Sequence, residues 1–235
     1  MREKVRRVPF AFYNVVNSHM PGRKSLVELL RAFKRAFAER SDVVLKLRTN
    51  RSRAVCDCFH AAGVSLDDPQ FDIDTRTRLS TEEFAGFYSE VHCTVHPSRA
   101  EGFGLIPFQS IACETPVIAP ADTGMADYLN SANAVTVRMV DIHRAPDVYY
   151  RTGSQPVVDE DHLVEQMLYM EANWEAEYEK VRRIAQKFRE RHRWGVALSE
   201  FLALVGKLDA APNTETRSEI ILRHFRSYED SPIRP

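Results

Sequence analysis

Between Phe10 and Arg138 short apolar β-rich runs alternate with helical segments, and that rhythm constrains the fold more than any single motif. Phe10 to Asn17 (Phe-Ala-Phe-Tyr-Asn-Val-Val-Asn) suits a strand buried on both faces. Ser18 to Gly22 is a turn. Arg23 to Arg40 reads as a helix: Leu26, Leu29, Leu30, Phe33 and Phe37 fall on one face, and Lys24, Glu28, Arg31, Lys34 and Arg35 largely occupy the rest. Asp42 to Leu47 is the second strand. A helix between two buried strands implies a parallel pair and a right-handed crossover. The pattern then predicts a helix over Ser52–Ala62 ended by Gly63, a strand at Phe71–Asp74, and a helix opened by a Ser80/Glu83 capping box and running to about Tyr88. A strand at Val91–His96, a helix at Leu105–Cys113, a strand at Pro116–Ala119, a short helix at Gly124–Leu129 and a last strand at Ala134–Arg138 follow. Six strands alternating with helices describe a doubly wound α/β domain.

Beyond Arg138 the character changes. Residues 141–159, with Pro146, Gly153 and Pro156, read as a loop. Helices are expected at Glu160–Ala172, Trp174–His192 and Trp194–Leu208, a break at Ala211–Thr214, another helix at Glu215–Tyr228 and a polar end. The formal net charge of −1 gives no global basic field to draw nucleic acid or membrane. No run of 18 apolar residues and no signal-peptide pattern is present, so no transmembrane segment is expected and the setting is read as cytoplasmic. Cys56, Cys58, Cys93 and Cys113 form no C-x-x-C pair and fit reduced thiols. Cys56-Asp57-Cys58 lacks a matching ligand pair, and no metal is expected.

Chemistry concentrates in His96-Pro97-Ser98-Arg99-Ala100-Glu101-Gly102-Phe103-Gly104-Leu105-Ile106-Pro107-Phe108-Gln109. An apolar strand empties into a loop holding two of the chain's nine glycines, and a helix begins at Leu105. Gly102 and Gly104 let backbone approach a ligand without a Cβ in the way, and the helix start aims unpaired N–H groups and a positive dipole end at the same place. The plainer account is a strand-to-helix turn needing glycine for shape. Glu101 favours a functional loop, because a hydrophobic core has no use for its carboxylate. In an open parallel sheet ligands bind beyond the carboxyl ends of the strands. The loops at 18–24, 48–51, 74–80, 97–104 and 120–124 should share that edge and bring together Ser18, Arg23, Lys24, Arg48, Arg51, Arg76, Arg78, Arg99 and Glu101. Most of those cations suit a diphosphate, although any single arginine is simply accounted for as a solvated charge. The basic stretch Lys180-Val181-Arg182-Arg183 would be the place for nucleic acid as an acceptor, an option left open, but interleaved acids make it a solvated helix face.

Pro97-Ser98-Arg99-Ala100-Glu101-Gly102-Phe103-Gly104-Leu105, followed by Ala112-Cys113-Glu114-Thr115-Pro116-Val117-Ile118-Ala119, resembles the donor-site motif of retaining glycosyltransferases with the GT-B fold, the family-four (group 1) type. Arg23-Lys24-Ser25 resembles their R-K-G, and Trp194 stands where they often carry an aromatic ahead of a closing helix. The resemblance implies the Rossmann-like C-terminal half of such an enzyme: a nucleotide-sugar-binding domain over residues 1–208 and a helical tail over 209–235. It gives Glu101 the role of the acid that contacts the donor sugar and stabilises charge at the anomeric carbon. Backbone of Gly102, Phe103, Gly104 and Leu105 would bind sugar and diphosphate oxygens, Lys24 would neutralise the leaving diphosphate with Arg23, Arg76 or Arg48 supplying a second cation, and Thr123 and Gly124 would line the sugar pocket. The implied donor is a nucleotide sugar, with no cofactor or metal, and the implied partner is an acceptor-binding domain or subunit. Three positions depart from the family. Gln109 replaces the acid that holds the ribose diol, Ser18 stands near the place of a diphosphate arginine, and Glu114 replaces a glycine. These departures keep a second reading in play: a non-catalytic nucleotide-sugar-binding or protein-interaction module.

Overall fold

The computed structural model describes residues 4–16, 20–76, 79–144, 154–210 and 214–229. Six strands form one sheet: β1 (Phe10–Val15), β2 (Val43–Arg48), β3 (Phe71–Asp74), β4 (Cys93–Val95), β5 (Val117–Ala119) and β6 (Val135–Thr136). Their order is β3-β2-β1-β4-β5-β6 and every pairing is parallel, the arrangement that the alternating sequence requires. The crossovers are α1 (Leu26–Phe37), α2 (Arg53–Ala62), α3 (Thr81–Glu90) and α4 (Leu105–Ala112). Strand β1 is buried on both faces. Phe10, Phe12 and Val16 join one apolar cluster with Leu29, Phe33 and Phe37 of α1, while Ala11 and Tyr13 join another with Tyr88 and Val91. The capping box of α3 is formed, with the Glu83 N–H donating to Ser80 Oγ at 3.1 Å and the Ser80 N–H to Glu83 Oε2 at 2.8 Å. All four cysteines are free thiols.

The first helix begins at Leu26 rather than Arg23, because Pro21 to Ser25 form turns and Ser25 takes a left-handed conformation. This shift places Arg23 and Lys24 in the loop beyond β1. Residues 141–159 are not simply loop as expected: β7 (Met139–Arg144) and β8 (Ser154–Val158) pair as an antiparallel ribbon. Pro156 concealed it. Both strands of a two-stranded ribbon are edges, where a residue without an N–H is tolerated, and the register shifts between Val140 and Ile142, the partner of Pro156. The positions expected at Pro146 and Gly153 lie outside the described residues.

Packing divides the chain into two compact units, Met1–Ala185 and Gln186–Pro235. In the first, α5 (Glu160–Ala172) and the start of α6 (Trp174–Arg191) complete the core with Leu163, Met167, Met170, Trp174 and Tyr178. The second holds α7 (Trp194–Ala197), α8 (Ser199–Asp209) and α9 (Thr214–Glu229). The single helix expected at Trp194–Leu208 is therefore two; Ser199 Oγ donates to the Val196 carbonyl at 2.7 Å at the junction, a local bond that competes with the helical ladder. Arg217 Nε donates to the Leu208 carbonyl at 3.1 Å, tying α9 to α8. No helix among the described residues is long and apolar enough to cross a membrane.

Candidate functional site

All six strands of the sheet run the same way, so the loops after β1, β4 and β5 emerge at one edge. They converge on Glu101. From the β1 loop, Lys24 Nζ donates to Glu101 Oε1 and Arg23 Nη1 lies 3.3 Å from the same oxygen. From the end of β4, His96 Nε2 lies 3.0 Å from it. From the β5 loop, Thr123 Oγ1 accepts the Glu101 N–H at 3.1 Å, and the Gly124 N–H donates to the Glu101 carbonyl at 3.0 Å. Backbone bonds hold the first two loops together: the Arg99 N–H donates to the Arg23 carbonyl at 2.9 Å, and the Arg23 guanidinium donates to the Ala100 carbonyl. The side chains of Glu101 and Lys24 are only 12% and 11% exposed, which makes this a desolvated ion pair rather than a surface one.

Burial alone would raise the Glu101 carboxyl; contacts with His96, Lys24 and Ser98 outweigh it and hold the group well below the usual carboxylate range. Burial lowers Lys24, and its bond to Glu101 opposes that. Burial likewise lowers His96 against the pull of Glu101. At neutral pH the arrangement is one carboxylate, two cations and an uncharged imidazole.

The glycines separate by cause. Gly104 caps α4 with φ +83°, and a Cβ there would sit 2.5 Å from Met125 Cγ and 2.9 Å from the Tyr128 hydroxyl, so packing dictates it. Gly124 is dictated too, since a Cβ would fall 2.1 Å from the Gly102 carbonyl oxygen. Gly102 is different: nothing lies within 4 Å of the place its Cβ would occupy. The fold makes no steric demand for glycine there, as at Gly22, Gly86, Gly195 and Gly206, and the space beside its backbone is open. Beyond Gly104, the first N–H groups of α4 have no intrahelical partner and open onto this edge, with Pro107 in the first turn where its missing N–H costs nothing. Phe103 and Leu105 are exposed beside them.

Other expected members take other partners. Gln109 is present, but its Oε1 accepts the Tyr88 hydroxyl at 3.1 Å. Arg99 turns away to Glu28 at 2.5 Å, and Arg76 pairs with Asp74 at 2.9 Å. Arg48 lies 3.6 Å from Asp74, and Arg51 is 3.9 Å from Asp67. Ser18 and Arg78 lie outside the described residues. Of the gathered cations, Arg23 and Lys24 are thus the ones brought to Glu101. Sequence reasoning missed Tyr128, whose hydroxyl donates to the Gly104 carbonyl and braces the loop from below; its only signal was an aromatic within the short apolar segment after Gly124.

Comparison with solved structures gives the fold a context. The chain is similar to the C-terminal domain of a glycosyl transferase group 1 family protein, LpcC, from Francisella tularensis (13% identity, 79% of this chain and 87% of that one, TM-score 0.56). It is similar to a sucrose-phosphate synthase from Thermosynechococcus elongatus (18% identity, 86% and 46%, TM-score 0.63). A UDP-forming α,α-trehalose-phosphate synthase from Burkholderia vietnamiensis also matches (15% identity, 83% and 44%, TM-score 0.59). The chain thus spans less than half the length of either synthase. These likenesses establish the Rossmann-like half of a GT-B fold. No curated protein matches the chain by sequence. Residues 22–201 match the model of the family described as family 4 glycosyltransferase in conflict systems. That match takes in the Arg23-Lys24 loop, the Glu101 loop and most of the helices that follow, and the chain belongs to this glycosyltransferase family.

Proposed function

We propose that this chain binds a nucleotide-diphosphate sugar at the Glu101 edge and serves as the donor-binding half of a retaining glycosyltransferase. In this reading residues 1–208 are the donor domain and 209–235 a helical tail, a boundary later than the packing division after Ala185, and the acceptor side comes from another domain or subunit. One observation carries the reading: three loops from a parallel sheet bring two cations to a desolvated carboxylate beside the start of a helix and an unencumbered Gly102. Departure of a nucleoside diphosphate builds negative charge, which Lys24 and Arg23 are placed to offset along with the α4 N–H groups. Glu101 is ionised, so it accepts sugar hydroxyls and favours positive charge at the anomeric carbon. Donor entry therefore has to draw Lys24 toward phosphate and away from Glu101. A cytoplasmic setting, with its reduced thiols, belongs to the same proposal.

Calorimetric titration of the folded chain with UDP- and GDP-sugars tests this. Saturable binding of at least one is expected, and Glu101→Ala should weaken it more than Gln109→Ala. Absence of binding to every donor, or equal and negligible effects of the two variants, overturns the assignment. Gln109, uncharged and already holding Tyr88, favours the second reading, a non-catalytic binding module. Donor binding with no transfer or donor hydrolysis, even with the acceptor half supplied, would select it.

A further inference from the structure

We infer that His96 is a positioning residue: a neutral, immobile donor that keeps the Glu101 carboxylate aimed at the sugar once the cations turn to phosphate. The inference rests on the nucleotide-sugar reading of this edge. His96 lies at the end of β4, its backbone N–H still bonded to the Ile118 carbonyl at 2.8 Å and Pro97 following it. Its side chain is 1% exposed, so the ring has no room to swing. Nε2 lies 3.0 Å from Glu101 Oε1, while Nδ1 is buried without a partner among the described residues. A proton on Nδ1 would leave an unsatisfied N–H in the interior, and Nε2 would then face the carboxylate lone pair to lone pair. The proton therefore belongs on Nε2, donated to Oε1. The charged groups facing the ring are Glu101, Lys24 and Arg23, and a third cation beside the last two is opposed both by them and by burial.

The consequence is a division of labour on one oxygen atom. Lys24 and Arg23 sit on flexible stems and carry charge, so an incoming diphosphate competes for them. His96 is uncharged and shut away, and phosphate has no purchase on it. When the cations leave, the His96 bond stays, beside the Ser98 contact, to fix the rotamer of Glu101 and hence the direction of its second oxygen. The effect should appear in recognition of the sugar and not of the nucleotide.

The test compares wild type, His96→Phe and His96→Gln by titration with UDP, UDP-glucose, GDP and GDP-mannose. In His96→Phe the ratio of sugar-nucleotide affinity to free-nucleotide affinity should fall about ten-fold, with nucleotide affinity within about two-fold of wild type. His96→Gln, whose amide N–H₂ reaches the Nε2 position, should restore most of that ratio. An unchanged ratio in His96→Phe, or equal weakening for nucleotide and sugar nucleotide, overturns the inference. If wild type binds none of the four, the donor-site reading has failed instead. Nitrogen NMR on the wild-type protein then still judges the geometry. His96 should be the neutral Nε2–H tautomer at neutral pH; an Nδ1–H tautomer or an imidazolium there sinks it.

Discussion

The two edges of the parallel sheet each hold a buried histidine and a lysine, buried at one edge and half-buried at the other, and they use them in opposite ways. At the carboxyl edge Lys24 and His96 converge on a carboxylate. At the amino edge Lys4 Nζ donates to the carbonyls of Tyr88 and Val91 and to Thr115 Oγ1, all uncharged acceptors. His92 there has Nδ1 2.9 Å from the Ala11 nitrogen and Nε2 2.9 Å from the Arg7 nitrogen, of which the neutral ring accepts one N–H, and it stacks on Phe10 and meets Trp174 edge to face. A pocket of about 310 Å³ beside them is lined by Lys4, Arg7, Glu90, His92 and Trp174. Burial lowers Lys4 to about 8 and His92 to about 4, the signature of groups used as stitches for the segment before β1. Desolvation by itself therefore does not mark a site. What distinguishes the carboxyl edge is a carboxylate in direct contact with its cations, where at the amino edge Glu114 acts on Lys4 without an ion pair between them.

Removing that counter-charge gives the largest contrast. Glu101→Ala leaves Lys24 and Arg23 partly buried without their carboxylate and should cost about 3 kcal/mol of stability, besides a hundred-fold or greater loss of donor affinity. Lys4→Met removes a half-buried charge together with its neutral hydrogen bonds, and the two effects should cancel to within about 1 kcal/mol with donor affinity unchanged. Denaturant unfolding and calorimetry on both variants would break the comparison if Lys4→Met proved the costlier, or if it impaired donor binding.

Within the carboxyl edge, Gly124→Ala drives a Cβ into the Gly102 carbonyl and should destabilise by about 2–3 kcal/mol, whereas Gly102→Ala should leave the melting temperature almost unchanged and weaken donor binding. The reverse order of melting temperatures would mean that Gly102 serves the fold.

The histidines extend the contrast to pH. His92 has a folded-state value of about 4 against an ordinary 6.5, so between those limits the unfolded chain binds the extra proton. Stability from this group is present above pH 6.5 and drains away toward pH 4, by about 2 kcal/mol once solvent screening is allowed for. His92→Gln should show a flatter acid limb in unfolding measured across that range, with donor affinity intact. Equal slopes for the two proteins would return the loss to the carboxylates.

How much of this the sequence disclosed depends on the range of each interaction. Periodicity in Phe10–Asn17 and Leu26–Phe37 carries the parallel sheet, because burial on both faces leaves a local imprint. The Glu101 loop was legible from its glycines and acid, and Arg23-Lys24 from their place after the first strand. The amino edge was not. Lys4 sits in a charged terminal run that reads as solvated, and its acceptors lie 84, 87 and 111 residues away. Nor did the sequence separate Arg23 from Arg48 or Arg99, since each finds its partner by tertiary distance: Glu101 for the first, Asp74 and Glu28 for the others.

Glu114 is the smallest test and joins the two edges, because it follows the helix that starts at the Glu101 loop and lines the pocket beside Lys4. It stands where the family motif has glycine, and its φ is +57°, left-handed backbone that a side chain adopts at a cost of about 1 kcal/mol. Ser25 repeats the substitution after Lys24, with φ +50°. Glu114→Gly should relieve the strain while adding freedom to the unfolded chain, for a net gain of up to about 1 kcal/mol. If the amino edge is purely structural, the gain appears in the melting temperature and donor affinity stays put. A loss of stability would show that the Glu114 side chain contributes more to this edge than its backbone costs, and any change in donor affinity would show that the two edges communicate through α4.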